Sequence, residues 1–381
     1  MKFLHLSDLH IGKTVNGFSM LEEQRNAFRQ ILEYIDTEQP QAVCIAGDVY
    51  DNTFPSVDAV RLFDNFLTDL AEKGVAVLLI SGNHDASWRL NYAARLLSQR
   101  RLHICGVFDG ALQSVTLADS YGEVTFWLLP YVKPSVVRCM FPGKEIDTYT
   151  QAVRTVLEAA QIDYTQRNVL LSHQFYTAVG VDVQRCESEI SPIGGLDAVD
   201  AGILAGFDYV ALGHLHGAQK AGDSIRYAGS PVKYSLSEMH HKKSVTLAEL
   251  KEKGNLSLKV LPLTPLHRMR EIKGTLAEVI TDTFAAQDDR EDYLRVILTD
   301  EEEGIDAMGK VRGVYPNVMH LEYENTRSRF VYDGGAPEAE LLERMDPFAL
   351  FSTFFLQTSG GAMTEEQALI VRELLEEGEE V

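Results

Sequence analysis

Up to about residue 98, the chain alternates fully apolar runs with segments of helical spacing. KFLHLSD, QAVCIAGD and VAVLLISGNHD have the continuous apolar character of strands buried on both faces. Between them, residues 20–38 and 56–73 repeat apolar side chains at helical spacing, and a third helix is expected from about Trp88. This alternation predicts an α/β fold with a sheet covered on both faces.

Further along, shorter apolar segments predict a second set of strands. The turn segments SYGE and EKGN each predict a hairpin, and NVLLSH, FDYVALGH and SIRYAGS have strand character. Helices are predicted near 148–161 and 197–205. We expect this first domain to span residues 1–265.

The pattern restarts after the proline-containing segment LTPLHRMR. Residues 266–330 predict a small α/β domain, with strands at 268–273, 293–299 and 317–323 and helices at 275–286 and 305–314. Beyond YDGGAPE, helices are expected near 346–357 and 364–378, and Thr364 is the N-cap of the second. We therefore predict a third, helical segment at 331–381.

The acidic charge of the chain is concentrated in its C-terminal part. The net charge is −21; residues 1–270 hold 26 basic and 30 acidic side chains, whereas residues 271–381 hold 9 and 26. The net charge argues against a simple nucleic-acid-binding protein. The nearly neutral N-terminal part can nevertheless present a local basic face to a polyanion.

The sequence also favours a cytoplasmic location. No apolar stretch reaches the length of a membrane span, and the N-terminal segment MKFLHLSDLH lacks the apolar run of a signal peptide. The four cysteines are widely spaced, which favours reduced thiols over a disulfide framework or a zinc knot.

Five predicted strands end in residue types that bind metals. Taken singly, each Asp is more often a helix cap or turn residue, and each His a hydrogen-bonded, partly buried side chain. Because ligand sites of open α/β sheets lie outside the carboxyl ends of the strands, the coincidence predicts one shared site. The residues at the five strand ends are Asp8 and His10; Asp48; Asn83, His84 and Asp85; His173; and His214 and His216.

The composition of this set indicates the chemistry. Mixed imidazole and carboxylate ligands favour Mn²⁺, iron or Zn²⁺ over Ca²⁺ or Mg²⁺. Their number suits two ions, which requires a bridging carboxylate, and Asp48 lies in the middle of the set. Two metal ions are the common clamp for phosphoester hydrolysis, and His84 is placed to donate a proton to the leaving group. Five other histidines are expected to have no role in this site: His5, His103, His240, His241 and His320.

The order of the motifs, DxH, GD, GNH, a lone H and GHxH, resembles the calcineurin-like metallophosphoesterase superfamily. Within it, the chain is similar to bacterial nuclease subunits that act with an ATPase, through SDLHIGK, GDVYD, ISGNHD, YVALGHLHGAQ and RYAGSPVKYSLSE. The resemblance covers most of residues 1–260. It implies a sandwich of two mixed β-sheets flanked by helices, followed by a small α/β capping domain and C-terminal helices.

The resemblance also implies a role for each motif residue. The histidine that matches the family's catalytic residue is His84, and Asp85 is expected to orient it. The cofactor is expected to be two divalent ions, of which Mn²⁺ is the best candidate. The first ion would be held by Asp8, His10, Asp48 and His216, and the second by Asp48, Asn83, His173 and His214.

Activity and partners follow from the same resemblance. It implies double-strand exonuclease and single-strand or hairpin endonuclease activity in DNA repair, recombination and the processing of hairpins that block replication. The domain at 266–330 would help to position DNA, whereas DPFALFSTFFLQ and the final helix would bind a coiled-coil ATPase. The resemblance further implies a homodimer, for which the helices at 20–38 and 56–73 are candidate faces, and hence a heterotetramer with the ATPase.

Other functions remain open at this point. A stand-alone phosphoesterase acting on a small phosphoester or nucleotide would share the metal ligands, but it would not explain over a hundred residues after the last motif. A protein phosphatase of the superfamily would read GDxVDRG and GNHE, whereas this chain reads GDVYDNT and GNHD and lacks the phosphate-binding arginine. A metal-free scaffold on the same fold predicts missing ligands, and no ligand position is empty.

Overall fold

The computed structural model of the chain describes residues 1–178, 184–189, 197–281, 290–302, 304–325, 346–359 and 363–379. The chain divides into two compact units, Met1–Leu266 and His267–Val381. Within the described residues, no helix combines the length and apolar character that crossing a membrane requires.

The long helices begin where the sequence supplies a capping side chain. Ser56 Oγ accepts a hydrogen bond from the Ala59 amide, and Thr148 forms a capping box with Gln151. The α-helices of the described residues are α1 (Leu21–Glu38), α2 (Val57–Glu72), α3 (Ser87–Leu90), α4 (Ala94–Leu97), α5 (Pro134–Met140), α6 (Tyr149–Ala159), α7 (Leu276–Val279), α8 (Ala307–Arg312), α9 (Pro347–Ser359) and α10 (Glu365–Glu379).

Three predicted helices differ from the structure. The helix predicted near 197–205 is wrong: the segment forms a two-residue strand and a 3₁₀ turn, Ala201–Leu204, because Asp200 caps the Gly202 amide. The helix predicted from about Trp88 is two short helices, which Ala93 separates with a left-handed φ of 58°. The helix predicted at 275–286 is described only as α7, and residues 282–289 lie outside the described residues.

The apolar runs form the strands. In chain order these are β1 (Lys2–Leu6), β2 (Thr14–Val15), β3 (Phe18–Ser19), β4 (Ala42–Ala46), β5 (Ala76–Ile80), β6 (Leu102–Cys105), β7 (Gln113–Asp119), β8 (Gly122–Leu129), β9 (Arg167–Ser172), β10 (Tyr176–Thr177), β11 (Val199–Asp200), β12 (Tyr209–Leu212), β13 (Gln219–Lys220), β14 (Ile225–Tyr227), β15 (Ser244–Leu250), β16 (Leu256–Pro262), β17 (Met269–Gly274), β18 (Tyr293–Leu298) and β19 (Val318–Tyr323).

Two six-stranded mixed sheets build the first unit. The first has the order β16-β15-β1-β4-β5-β6, with β1, β4, β5 and β6 parallel to one another. The second has the order β13-β14-β12-β9-β8-β7, with β8, β9, β12 and β14 parallel. Both sheets therefore present a row of parallel strand ends at one edge, which is where the candidate ligands lie.

The two sheets pack face to face and helices cover their outer faces. The core between them joins Phe3 of the first sheet to Phe126 of the second, with ring centroids 5.3 Å apart. The Phe28 and Phe66 rings of α1 and α2 stack at 4.3 Å, and a second core packs α5 and α6 against the second sheet. This confirms the predicted sandwich of mixed sheets flanked by helices.

The second unit has its own core. In its described residues, the strands β17, β18 and β19 form a parallel sheet. The helices α7 and α8 pack against this sheet through buried apolar side chains that include Val279, Val296 and Val311. The helices α9 and α10 contact each other, with the Arg372 guanidinium 4.4 Å from the Phe348 ring centroid. The predicted cap of the last helix is present, since Thr364 Oγ1 accepts from the Gln367 amide. The loop YDGGAPE lies outside the described residues.

Candidate metal centre

The five strand ends meet at one edge of the sandwich. Strands β1, β4 and β5 of the first sheet and β9 and β12 of the second all run toward this edge, because these strands are parallel within their sheets. Among the described residues, three clusters of ligand atoms result, each with its atoms within 4.8 Å of one another. They consist of Asp8, His10 and His216; of His10, Asp48 and His84; and of Asp8, Asp48 and His173.

The backbone is strained where it delivers these side chains. Four residues of the site have a positive φ, which residues other than glycine seldom adopt. The φ angle is 51° at Asp8, 40° at His10, 50° at Asp48 and 94° at His214. Such conformations cost of order 1–3 kcal/mol each and cluster at functional sites. In these conformations, the four polar side chains point from the strand ends into the same site.

Glycines of the GD and GNH motifs make room for the ligands. A Cβ atom on Gly82 would lie 2.1 Å from Asp48 Oδ1, and one on Gly47 would lie 2.3 Å from His173 Nδ1. Gly47 also has φ +86°, which disfavours any side chain. The sequence therefore needs glycine at these positions for steric reasons.

The first group of ligands combines the ends of β1 and β12. The Nε2 atoms of His10 and His216 lie 3.1 Å apart, and both rings are buried. The carboxylate of Asp8 accepts from Ser7 Oγ at 2.6 Å and from the His214 amide at 2.9 Å, which fixes its orientation. Asp48 Oδ2 lies 3.6 Å from His10 Nε2 and so closes this group.

The second group lies on the other side of Asp48. Its Oδ2 atom is 3.2 Å from His173 Nε2, and Asn83 Oδ1 is 3.1 Å from both His173 Nε2 and His214 Nδ1. His173 Nδ1 lies 2.7 Å from the Ala46 carbonyl oxygen, which only accepts hydrogen bonds, so this nitrogen carries a proton. The other ring nitrogen of His173, Nε2, faces the carboxyl groups of Asp48 and Asp8.

His84 lies at the mouth of the site and is half-buried. Its ring packs edge-on against His10, with centroids 4.7 Å apart, and its amide donates to Asp48 Oδ1 at 2.9 Å. His84 Nδ1 donates to the Asp51 carbonyl oxygen at 2.9 Å. The hydrogen-bond partner of this ring is therefore the backbone of Asp51, and a role of Asp85 in orienting His84 stays a prediction.

Asp85 supports the loops that carry the ligands. Its buried carboxylate accepts from the amides of Val49, Tyr50 and Gly82, at 3.2, 3.0 and 2.8 Å. These bonds connect the loop after β4 with the loop after β5. Asp85 therefore holds Asp48 and Asn83 in register.

Burial keeps three imidazoles neutral. It lowers the pKa of His10, and it lowers the pKa of His214 to about 3 and that of His216 to about 4. Neutral imidazoles offer lone pairs, so these rings are in the form that binds a metal ion near neutral pH.

The two buried carboxyl groups behave differently from each other. Burial raises the pKa of Asp8 to about 7. Burial would also raise the pKa of Asp48, but the charge of His173 and its hydrogen bond to Asp48 outweigh burial and hold this pKa well below its usual range. Burial would lower the pKa of His173, but Asp48 and Asp8 outweigh it and raise this pKa to about 9. The cluster thus stabilises a positive charge between its carboxylates, as a cation site must.

Several contributors to the site carry no strand-end signal in the sequence. Asp51 Oδ1 lies 3.5 Å from the otherwise unpartnered Nδ1 of His10 and 2.7 Å from Lys13 Nζ. Ser188 and Glu238 contact His216 Nδ1 at 2.8 and 3.1 Å. They approach from segments that lie 28 and 22 residues away in sequence, so only the folded chain reveals them.

The donor set fits a pair of divalent cations. Two carboxylates, one amide oxygen and four imidazoles converge, and each cluster of three has at least one carboxylate. For His173 and His216 the outward nitrogen is held by a protein acceptor, the arrangement usual for metal-bound histidines. The chemistry is that of sites for Mn²⁺, iron or Zn²⁺.

Comparison with known proteins assigns the fold to a family. Residues 1–218 match the model of the calcineurin-like phosphoesterases, and residues 265–359 match a domain described as the type 5 capsule protein repressor C-terminal domain. The chain therefore belongs to the calcineurin-like phosphoesterase family and is a metal-dependent hydrolase of phosphoesters, whose cofactor is a pair of divalent metal ions.

A curated relative narrows this assignment. The chain is 30% identical over 380 residues to the D subunit of the nuclease SbcCD of Staphylococcus epidermidis, and the match covers 98% of both chains. Identity of this extent along the whole length places the chain among the SbcD-type members of the family.

Solved structures give a more distant likeness. A dimetal phosphatase from Danio rerio is 13% identical with a TM-score of 0.39, and the match covers 70% of this chain and 97% of that one. The phosphoesterase Yfce from E. coli is 14% identical with a TM-score of 0.26, over 68% of this chain and 100% of that one. At these scores neither structure supports an inference about this chain.

Proposed function

We propose that the chain is the nuclease component of a DNA-processing complex and cleaves DNA phosphodiesters with two metal ions. The observation that carries the proposal is the convergence of five strand ends on Asp48, in a chain that is similar along its whole length to part of a nuclease. The activities we expect are double-strand exonuclease and single-strand or hairpin endonuclease, serving DNA repair and recombination.

The ligand assignment that we propose divides the site at Asp48. One ion would be held by Asp8, His10, Asp48 and His216, and the other by Asp48, Asn83, His173 and His214. Contacts of 3.1–3.6 Å join these side chains to one another and support this division. The neutral rings of His10, His214 and His216 support it as well. The mixed nitrogen and oxygen ligands suit Mn²⁺, iron or Zn²⁺, and among these we favour Mn²⁺ because of the resemblance to the nuclease subunits.

The bound ions supply a nucleophile at neutral pH and charge stabilisation at the phosphorus. The remaining tasks belong to the chain. His84 donates Nδ1–H to the Asp51 carbonyl, which leaves Nε2 free to exchange a proton with the substrate. In the imidazolium form, Nε2–H would donate its proton to the leaving 3′ oxygen and the ring would become neutral. Asp51 and Asp85 hold the loops so that His84 and Asp48 keep their spacing.

The C-terminal helices supply the features expected of a protein-docking segment. Large apolar side chains are exposed on both α9 and α10, among them Phe354 at 58%, Leu369 at 60% and Leu374 at 63%. Residues 331–381 hold 12 acidic and 2 basic side chains, which disfavours a DNA-binding role for this segment. We propose that residues 331–381 bind the coiled-coil base of an SbcC-like ATPase, with residues 331–345 outside the described part of the chain. Residues 266–330 would then be the capping domain that positions DNA.

A second copy of the chain is the partner that we propose for a further set of exposed apolar side chains, on α2 and on residues 88–96. We call this set the apolar patch, and it consists of Val57, Val60, Trp88, Tyr92 and Leu96. Their exposed fractions run from 44% to 82%, and Val60 and Tyr92 line the same groove. Of the two helices expected at the dimer face, α2 contributes to this patch, whereas α1 buries Phe28, Ile31 and Ile35. The homodimer would pair with two ATPase chains in a heterotetramer.

We keep the cytoplasm as the proposed location, because a reducing compartment suits the four unpaired cysteines and because the proposed substrate is DNA.

The experiment that tests the function is cleavage of end-labelled duplex and hairpin DNA by the purified chain, with Mn²⁺ and with chelator. Cleavage that requires the metal supports the nuclease. Intact DNA together with hydrolysis of a small phosphomonoester would instead favour the stand-alone phosphoesterase, since both substrates use the same metal site. A His84→Gln protein measured in parallel excludes a contaminating nuclease.

A further inference from the structure

On the side away from the metal centre, the proposed ligand His216 contacts a polar cluster of two buried and two half-buried residues that the proposed chemistry does not use. The cluster consists of Ser188, Glu189, Glu238 and Lys243. Glu238 ends a 3₁₀ turn, Leu236–Glu238, and has 0% exposure. Burying a carboxylate costs free energy unless the group is paired and hydrogen-bonded, so Glu238 requires partners that compensate its charge.

Glu238 is fully engaged on both oxygens. Its Oε2 atom accepts from Lys243 Nζ, and its Oε1 atom lies 3.1 Å from His216 Nδ1 and accepts from Ser188 Oγ at 2.5 Å. Lys243 Nζ also donates to Ser230 Oγ and to the His216 carbonyl, at 2.8 and 3.0 Å. The ammonium thus compensates the carboxylate and ties it to the backbone of the same histidine.

The contacts determine which nitrogen of His216 carries the proton. A carboxylate only accepts hydrogen bonds, and Ser188 Oγ, 2.8 Å from Nδ1, uses its own hydrogen toward Glu238. Nδ1 must therefore be the donor, which leaves the lone pair of the neutral ring on Nε2. That atom faces His10 Nε2 at 3.1 Å, on the side of the metal centre.

The backbone of His216 is fixed by the same segment. Glu189 Oε1 accepts from the His216 amide at 2.7 Å, and Glu189 Oε2 accepts from the Cys186 amide at 3.0 Å. Residues 186–189 and the turn at 236–238 therefore both hydrogen-bond to His216, although about 50 residues separate the two segments in sequence.

We infer that Glu238 is a positioning residue that, directly and through Ser188, fixes His216 in the tautomer and orientation required to bind one metal ion. The inference rests on the proposed role of His216 as a ligand. Outer-shell partners of this kind contribute about 10–100-fold to metal affinity. Glu238→Gln and Ser188→Ala are thus expected to weaken one of the two binding steps by about 10–100-fold and to leave the other unchanged.

The test is calorimetric titration of the metal-free full chain with Mn²⁺. Ser237→Ala is the matched control for Ser188→Ala, because Ser237 Oγ accepts from the Glu187 amide at 3.2 Å and so joins the same two segments without touching His216. Glu23→Gln is the control for Glu238→Gln, since Glu23 is also a buried carboxylate, at 4% exposure. Both controls should bind two ions with wild-type affinity.

A His216→Asn variant distinguishes failure of the positioning role of Glu238 from failure of the ligand assignment of His216. If His216→Asn loses one ion while Glu238→Gln and Ser188→Ala keep both at wild-type affinity, the positioning role is overturned and the ligand assignment stands. If His216→Asn itself keeps both ions, the ligand assignment fails and the inference falls with it. Should Glu238→Gln be unfolded by circular dichroism in chelator, Ser188→Ala alone decides, because its smaller change leaves the Glu238–Lys243 pair in place.

Discussion

Asp48 Oδ2 lies 3.2 Å from His173 Nε2, although the two residues follow strands of different sheets. The contact spans the two halves of the sandwich at their common edge, and both side chains are buried. An ion pair in this position replaces the charge that a cation would bring, which is why the pKa of Asp48 is lowered and that of His173 is raised.

We predict that Asp48→Asn disrupts both metal sites. Asp48 contacts His10 as well as His173, so its charge serves both ligand groups, and the loss in affinity should exceed the ~10–100-fold of an outer-shell partner. Metal content after dialysis against Mn²⁺ measures the effect. Asp147→Asn, at an exposed residue paired with Arg138, is the control. Retention of two ions by Asp48→Asn would show that Asp48 does not bridge.

His84→Gln should leave both ions bound and stop cleavage. The ring lies at the mouth of the site, and its loss removes a proton donor, which contributes about 10²–10⁴-fold to rate. Metal titration and a cleavage assay on the same preparation separate binding from chemistry. His103→Gln on β6 should behave as wild type. A His84→Gln protein that lost a metal ion would contradict the assigned role.

The buried His5 should make the metal-free protein sensitive to acid. Its ring contacts Tyr209 Oη at 2.9 Å and the Leu212 carbonyl at 3.1 Å, and burial lowers its pKa to about 3. The unfolded state takes up a proton below about pH 6.5 while the folded state does not. The stabilisation is therefore complete above pH 6.5 and is lost toward pH 3, at about 1.4 kcal/mol per pH unit.

Urea unfolding between pH 7 and pH 4 tests this prediction. His5→Gln should show a shallower decline of unfolding free energy with falling pH than wild type, since the amide does not titrate. His320→Gln, at an exposed position on β19, should match the wild-type slope. Equal slopes for wild type and His5→Gln would show that His5 does not control acid stability.

Charge placed in the apolar patch should prevent the proposed homodimer. Val60 is 44% exposed and Leu96 is 70% exposed, so Val60→Asp with Leu96→Asp puts two carboxylates on this surface without entering the core. Light scattering after size exclusion at micromolar concentration should give the mass of a dimer for wild type and of a monomer for the variant. Val260→Asp on β16, where Val260 is 51% exposed, should remain dimeric. A monomeric wild-type protein would refute the dimer.

Phe354→Asp with Leu374→Asp should weaken binding of the ATPase coiled-coil base and spare cleavage. The two side chains are 58% and 63% exposed on α9 and α10, and the loss of an apolar anchor at an interface costs ~2 kcal/mol or more, about 30-fold in affinity. Titration with the purified coiled-coil base measures this. Ile305→Asp, at a residue of the same unit that is 89% exposed, is the control. Unchanged affinity in the double variant would place the docking surface elsewhere.

The pattern of the sequence by itself predicted the α/β class and the ligand residue types, and the resemblance of its motifs implied the two-sheet sandwich. Short, fully apolar runs such as β4 and β5, alternating with helical segments, favour strands buried on both faces, and the polar residues that follow them are then expected at the sheet edge. The helix predicted near 197–205 is wrong because contacts, rather than the periodicity of apolar residues, decide the local structure there. The segment 197–205 has apolar spacing compatible with a helix, but the Asp200 cap and the pairing of β11 with β10 give a strand and a 3₁₀ turn.

Only the tertiary structure decided how each ligand is held. The hydrogen bonds of Asp85 to three loop amides, of His84 to the Asp51 carbonyl and of Glu238 to His216 join residues whose partners sequence spacing does not identify. Strand periodicity fixes which face a side chain points to, but orienting a ring requires a specific partner at hydrogen-bond distance. Such partners come from loops that meet only in the folded chain. The residue types of the site can therefore be predicted from the sequence, whereas their hydrogen-bond partners cannot.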